Sequence, residues 1–390
     1  MKAAPWLAAG ALLAASPLTP APGGPALRVT AQSQLDLARP QETVELAIAS
    51  LSGLTAADLP RVRVREQASG HEVPAQAVDL DADGRFDQLV FQTDFGPRES
   101  KSFLLEVGEP RPPRKQDFRV YGRFVRERFD DFAWENDRIA HRMYGTALET
   151  WDAEPLTSSG VDVWCKRTRR LVVNDWYLTG DYHRDQGEGA DLYSVGRSRG
   201  CGGSGVWQDG RLFTSRNFRA SRVLANGPLR LIFELTYEPW DAGGFSVSEV
   251  KRITVDAGSN LHRFESAYRD YRREGPIDLN WAAGIKRPPA ASVRAEREQG
   301  WLRTWEPLPG DNGHLGCGVV AGSPGALEVA EADGNQLVLG RSAPGTLARY
   351  YAGAGWDRSG DFPTVADWDR YLDDFARRLR SPLKVEVTPR

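Results

Sequence analysis

Short runs in which apolar and polar residues alternate constrain this chain more than any other feature. They include Leu27–Thr30, Val44–Ile48, Val62–Val64, Leu89–Gln92 and Phe103–Val107, separated by turn-forming clusters. A period of two puts every second side chain on one face, so each run reads as a half-buried strand. Longer strands follow at Leu229–Tyr237, Phe245–Val255 and His262–Tyr268. One segment repeats at helical spacing instead: Trp368, Tyr371, Leu372, Phe375 and Leu379. Thr364 is placed to cap that helix, Arg377, Arg378 and Arg380 suit its C-terminus, and Pro382 stops it. One helix among many strands predicts a mainly β protein.

The stiff, charged stretch Gly108-Glu109-Pro110-Arg111-Pro112-Pro113-Arg114-Lys115 divides the chain. Residues 25–112 are predicted to form a small β-sandwich-like domain. Residues 113–390 are predicted to form a large antiparallel β-sandwich, supersandwich-like, that carries the catalytic site and the C-terminal helix. Ahead of both, Met1-Lys2, an apolar run from Ala3 to Ala15 and a proline-rich exit to Gly24 read as a signal peptide over 1–24. The expected location is therefore periplasmic or secreted. That run is too short to span a bilayer, and no later segment approaches a span.

About 365 residues then remain, enough for a substantial core. Fifty basic residues against 53 acidic ones leave no excess to neutralise phosphates, which argues against nucleic acid as a partner. Twelve Trp, 11 Tyr and 15 Phe on a polar background suit carbohydrate, whose ring faces stack while its hydroxyls hydrogen-bond. Cys165, Cys201 and Cys317 are an odd number and sit in no metal-ligand spacing, so neither a zinc site nor more than one disulfide is expected.

The stretch Asp181–Phe218 stands apart. Nine of the 39 glycines fall between Gly180 and Gly210, interleaved with His183, Asp185, Asp191, Arg197, Arg199 and Arg216. Glycine permits close approach and positive φ, so this mixture reads as a shaped polar site better than as a linker. Tyr182 and His183 are the acid/base candidates there. Arg197, Arg199 and Arg216 could hold a carboxylate. Asn174-Asp175-Trp176-Tyr177 leads into Asp181, an approach rich in stacking groups, and residues 132–145 add Trp134 and His141. Those residues read equally as a helix, with Trp134, Arg138 and His141 on one face, or as a strand. Asp79–Asp87 matches the first nine positions of a calcium loop, but Val90 stands where a bidentate Glu belongs, so a hairpin is the better reading.

Several blocks together resemble a bacterial family known as domain of unknown function 4861. They are Trp134–Ala140, Ser159–Trp164, Asp181-Tyr182-His183 and, longest, Ser194–Gly205 with its Arg-Gly-Cys-Gly-Gly core. The resemblance covers nearly the whole mature chain. It implies a β-rich fold and a role in polysaccharide utilisation, and at least one member looks like a dehydratase of ulvan oligosaccharides. That chemistry removes water from a non-reducing-end uronic acid and needs no organic cofactor. In such a reading Arg199 and Arg216 clamp the carboxylate, His183 acts as base or acid with Tyr182 beside it, and His141 stands in reserve. A polysaccharide lyase, a glycoside hydrolase and a non-catalytic sugar-binding protein remain open alternatives.

Overall fold

The computed structural model describes residues 27–389 except 154, 273–274 and 323–326. The expected signal peptide lies outside the described residues. The protein is mainly β, as the alternation predicts. Among the described residues no helix is long and apolar enough to cross a membrane.

Two sheets form the N-terminal part. One has the strand order 384–389, 27–32, 100–107, 62–66, 72–73, and the other 39–47, 88–95, 75–78. Leu27, Val29 and Ala31 turn inward on alternate positions and meet Val64, Phe91, Phe95, Phe103 and Leu105 in one apolar core. The expected division at residue 112 leaves out one member of this unit. The last strand, Lys384–Pro389, returns across the molecule to pair antiparallel with Leu27–Gln32.

The larger part is built on a nine-stranded sheet running from Phe218–Asn226 through Arg230–Asp241, Ser246–Asp256, Leu261–Asp270, Ala348–Trp356, His314–Ala321 and Trp301–Pro307 to Ser292–Glu296. Two five-stranded sheets join it. One contains Cys201–Gln208 and Leu279–Lys286, the other Asp131–Asn136, Ala140–Met143 and Asp162–Lys166. Phe132, Trp134, Val163, Cys201, Phe233, Ile253, Phe264, Ala283 and Val319 come from all three sheets and share one core. Residues 132–145 are thus a hairpin, which excludes the helical alternative.

There are two helices among the described residues, where the sequence predicts one. The first, α1, is Val173–Thr179, and the second, α2, is Val365–Arg380. Thr364 caps α2 as expected, its hydroxyl accepting from the Asp367 N–H while the Asp367 side chain returns the bond. Trp368, Leu372 and Ala376 form its buried stripe against Trp301, Val320 and Phe362. The helix can lie so close because the sheet offers glycines there. A Cβ at Gly316 would stand 2.6 Å from Trp368, and one at Gly318 would stand 2.8 Å from Leu372.

Candidate functional site

Three acids converge on one buried guanidinium. Arg142 lies on the inner strand of the 131–166 sheet, and Asp131 and Asp162 begin the strands on either side of it. Its Nε donates to Asp162 Oδ2 at 2.6 Å, its Nη2 to Asp191 Oδ2 at 2.9 Å, and its Nη1 stands 3.6 Å from Asp131 Oδ2. The rings of Tyr144, Trp164 and Tyr182 wall the guanidinium at 5.6 to 5.8 Å. All four charged groups are buried.

Crowding carboxyl groups away from water favours the protonated forms of Asp131 and Asp191. Burial pushes Asp131 up to about 7, against the pull of Arg142. Burial and then the neighbouring Asp162 push Asp191 well above the carboxylate range. Burial opposes the charge on Arg142, but Asp191 and Asp162 more than offset it and fix the guanidinium as a cation. Asp131 Oδ1, Asp191 Oδ1 and Trp164 Nε1 are buried without a hydrogen-bond partner. These atoms leave hydrogen-bonding capacity open around the cluster.

His183 stands at the outer edge of this cluster. Helix α1 ends at Gly180, whose φ of 69° turns the chain back on itself. The turn lays Tyr182 on Trp164 with ring centroids 5.1 Å apart, and Trp164 stacks in turn on Trp176 at 5.6 Å. His183 Nδ1 then sits 3.4 Å from Asp191 Oδ2 and 3.3 Å from the Asp191 carbonyl, while its side chain is 60% exposed. A buried carboxyl group behind an exposed imidazole fixes the ring's orientation, as a positioned base requires. The Tyr177 hydroxyl donates to Asp131 Oδ2 at 3.4 Å, and the residue is half-buried.

The rim is strained. Phe129 and Asp130 are successive non-glycine residues with φ of 52° and 66°. Bulky residues adopt that region at a cost, and such strain gathers at functional sites. Phe129 stacks on Trp151 at 4.3 Å, and the Arg128 guanidinium lies 4.8 Å from the centre of the same indole. Gly145 passes directly beneath; a Cβ there would meet the Asp130 carbonyl at 2.0 Å.

The other residues singled out by sequence fall elsewhere. Trp176 belongs to the aromatic stack, and Asp181 is exposed just before Tyr182. His141 is buried behind the cluster, its Nδ1–H donating to the Asp162 carbonyl at 2.9 Å, and burial pushes it down to about 4. Trp134 is fully buried and donates to His262 Nδ1 at 2.9 Å, so it is a core residue and not a platform. Arg216 is exposed and paired with Glu149, which also accepts from the Asn217 N–H. Arg197 is exposed. Arg199 is buried, donating to Ser159 Oγ and the Ser204 carbonyl, and among the described residues it shares no hydrogen-bond partner with His183. The glycine block that follows it explains why. A Cβ at Gly200 would strike the Val161 carbonyl at 2.1 Å, and one at Gly284 would strike the Arg199 side chain at 2.6 Å. These glycines let strands and an arginine pack closely; they do not line a pocket.

Asp79–Asp87 forms the expected hairpin turn between strands 75–78 and 88–95. Asp79 is occupied in accepting the Ala82 and Gly84 N–H groups. Carboxylate oxygens of Asp79, Asp81 and Asp87 lie within 4.8 Å of one another, the one such grouping among the described residues. The three cysteines are buried and unbridged.

Residues 31–385 match the family model described as a domain of unknown function, DUF4861. The chain belongs to this family. Its relatives include the uncharacterized protein P7 of Formosa agariphila, 32% identical over 374 residues that cover 92% of this chain and 93% of that protein. Two solved structures align over 94% of the chain. One is an alpha-mannosidase from Enterococcus faecalis, with a TM-score of 0.47 and 12% identity. The other is a protein in glycosyl hydrolase family 38 from the same species, with a TM-score of 0.49 and 11% identity. The chain spans about half the length of either, 46% and 48%.

Proposed function

We propose that this member of the family is an exported carbohydrate-active enzyme that eliminates water from the non-reducing-end uronic acid of an oligosaccharide. One observation carries the reading: an exposed His183 backed by Asp191 joins, through Arg142, a cluster that holds Asp131, a carboxyl that burial keeps protonated up to about pH 7. The elimination needs that pair. His183 takes the proton from C5, next to the sugar carboxylate, and the electrons of the C5–H bond form the C4=C5 double bond. The C4–O bond breaks, and the departing hydroxyl leaves as water after receiving a proton. We assign that proton to Tyr177, whose phenolate then takes the proton held by the Asp131 carboxyl, the group that had accepted its hydrogen bond. Arg128 at the rim is assigned to the sugar carboxylate, where a cation stabilises the charge that builds up as C5 loses its proton. Trp151 and Phe129 offer the ring face on which a sugar stacks. The family resemblance supports the same chemistry, with Arg128 in the place first given to Arg199 and Arg216.

A glycoside hydrolase is the second reading, favoured by three carboxylates around Arg142 with one of them protonated near neutrality. Mass analysis of the products from uronate-terminated oligosaccharides separates the two. A product one water lighter, with the ultraviolet absorbance of an unsaturated uronate, is the expected result. Shorter fragments that have gained water would replace this reading with hydrolysis. Unsaturated fragments would mark a depolymerising lyase, and binding without conversion would remove the enzyme reading altogether.

A further inference from the structure

We infer that the core of the large sandwich holds a small monovalent anion beside Arg199 and Lys251. This site stands independently of the elimination reading, because it uses none of the residues assigned to that reaction. Arg199 and Lys251 are both buried, at 3% and 1% exposure, and among the described residues the carboxylate that shares their surroundings is Glu249. Two cations against one carboxylate leave an excess positive charge inside an apolar core.

Glu249 is already committed. Its Oε1 accepts from Lys251 Nζ, from Ser266 Oγ and, at 3.5 Å, from Ser204 Oγ. Lys251 also donates to Ser204 Oγ at 2.6 Å, so the lysine and the glutamate satisfy each other. Arg199 has no such counter-charge. Its Nη1 donates to Ser159 Oγ at 2.9 Å and to the Ser204 carbonyl at 3.3 Å, both neutral, and no carboxylate among the described residues pairs with it. Gly203 and Gly284 pack closely on this residue: a Cβ on Gly203 would clash with its carbonyl and one on Gly284 with the base of its side chain. Burial draws the Arg199 pKa down to about 10, which still leaves it charged at neutral pH. A buried ion without a counter-charge is among the costliest features a fold can carry, and an anion beside the guanidinium removes that cost. The chemistry required is a single negative charge on a small body: a halide or a carboxylate.

The test uses the full-length protein. Its thermal unfolding midpoint is followed against sodium bromide and, separately, sodium formate, with ionic strength held constant by sulfate. Crystals are soaked in bromide and searched for anomalous scattering. A ligand bound only by the folded state raises the midpoint in a saturable way. The expected result is a saturable rise with at least one of the two anions, lost in Arg199→Met, and the anion seen within hydrogen-bonding reach of Arg199. A bromide response identifies a halide site, and a response to formate alone identifies a carboxylate site. Bromide found only at the surface, an adventitious ion only, with no saturable rise from either salt would overturn the inference. So would an undiminished response in Arg199→Met. Should that variant fail to fold, the diffraction measurement on the unaltered protein decides by itself.

Discussion

Arg142 organises the site because Asp131, Asp162 and Asp191 all converge on its guanidinium. Its neighbours carry consequences that can be measured residue by residue. Asp131 has its pKa raised from 3.8 to about 7, so between those values the folded state holds a proton that the unfolded chain has lost. Stability from this group is therefore full below the unfolded value and is lost as pH rises towards 7. Asp131→Asn, which cannot ionise, should gain about 1–3 kcal/mol relative to the unaltered protein on going from pH 5 to pH 8. Urea titrations at the two values give the difference. His141 has the opposite sign. Burial lowers its pKa from 6.5 to about 4, so its contribution is present above 6.5 and is lost as pH falls through that window. His141→Gln should flatten the acid side of the stability profile between pH 6.5 and 4, as followed by thermal melts.

At this scale the sequence was only partly legible. His183 stood out in the sequence by its setting among glycines and charges, and in the fold it lies against Asp191. Arg199 did not read correctly, because an arginine amid glycines looks like a loop residue, whereas here the glycines make room to bury it. Asp131, Asp162 and Asp191 come from three separate segments, and nothing in their spacing announces that Arg142 will gather them.

Among the elements, α2 was readable because its signals are local: a capping residue, a helical stripe and a proline stop. Thr364→Ala should cost about 1 kcal/mol, measurable by urea denaturation, since it removes the hydroxyl that accepts the Asp367 N–H. Helix α1 escaped notice because it spans seven residues and has no side-chain cap. The hairpin of residues 131–143 was ambiguous by periodicity, as every residue of its two strands is buried and no polar face marks a period of two. The strained turn before it depends on Gly145. Gly145→Ala should cost about 2–4 kcal/mol and reduce activity together with stability, because the new methyl would displace the Asp130 carbonyl and with it Asp131.

At the scale of the molecule, the N-terminal sheets and the large sandwich are joined by polar contacts that were invisible in sequence. Gln76 accepts the N–H groups of Leu229 and Arg230 and donates to the Arg230 carbonyl, while Arg230 pairs with Glu45 and Asp256. Gln76→Ala would leave those buried N–H groups without a partner and should destabilise the protein by about 2–4 kcal/mol in calorimetry. The closing strand 384–389 was equally unforeseen, since pairing between the two ends of a chain leaves no local pattern.

The central claim is that His183 is the base of an elimination carried out on a uronic acid. The most direct measurement is kcat/KM of His183→Ala on a uronate-terminated oligosaccharide, beside the unaltered enzyme and with thermal midpoints recorded for both. His183 is exposed, so the midpoint should be unchanged while kcat/KM falls on the order of a hundredfold or more. Activity retained within a few-fold at an unchanged midpoint would contradict the account.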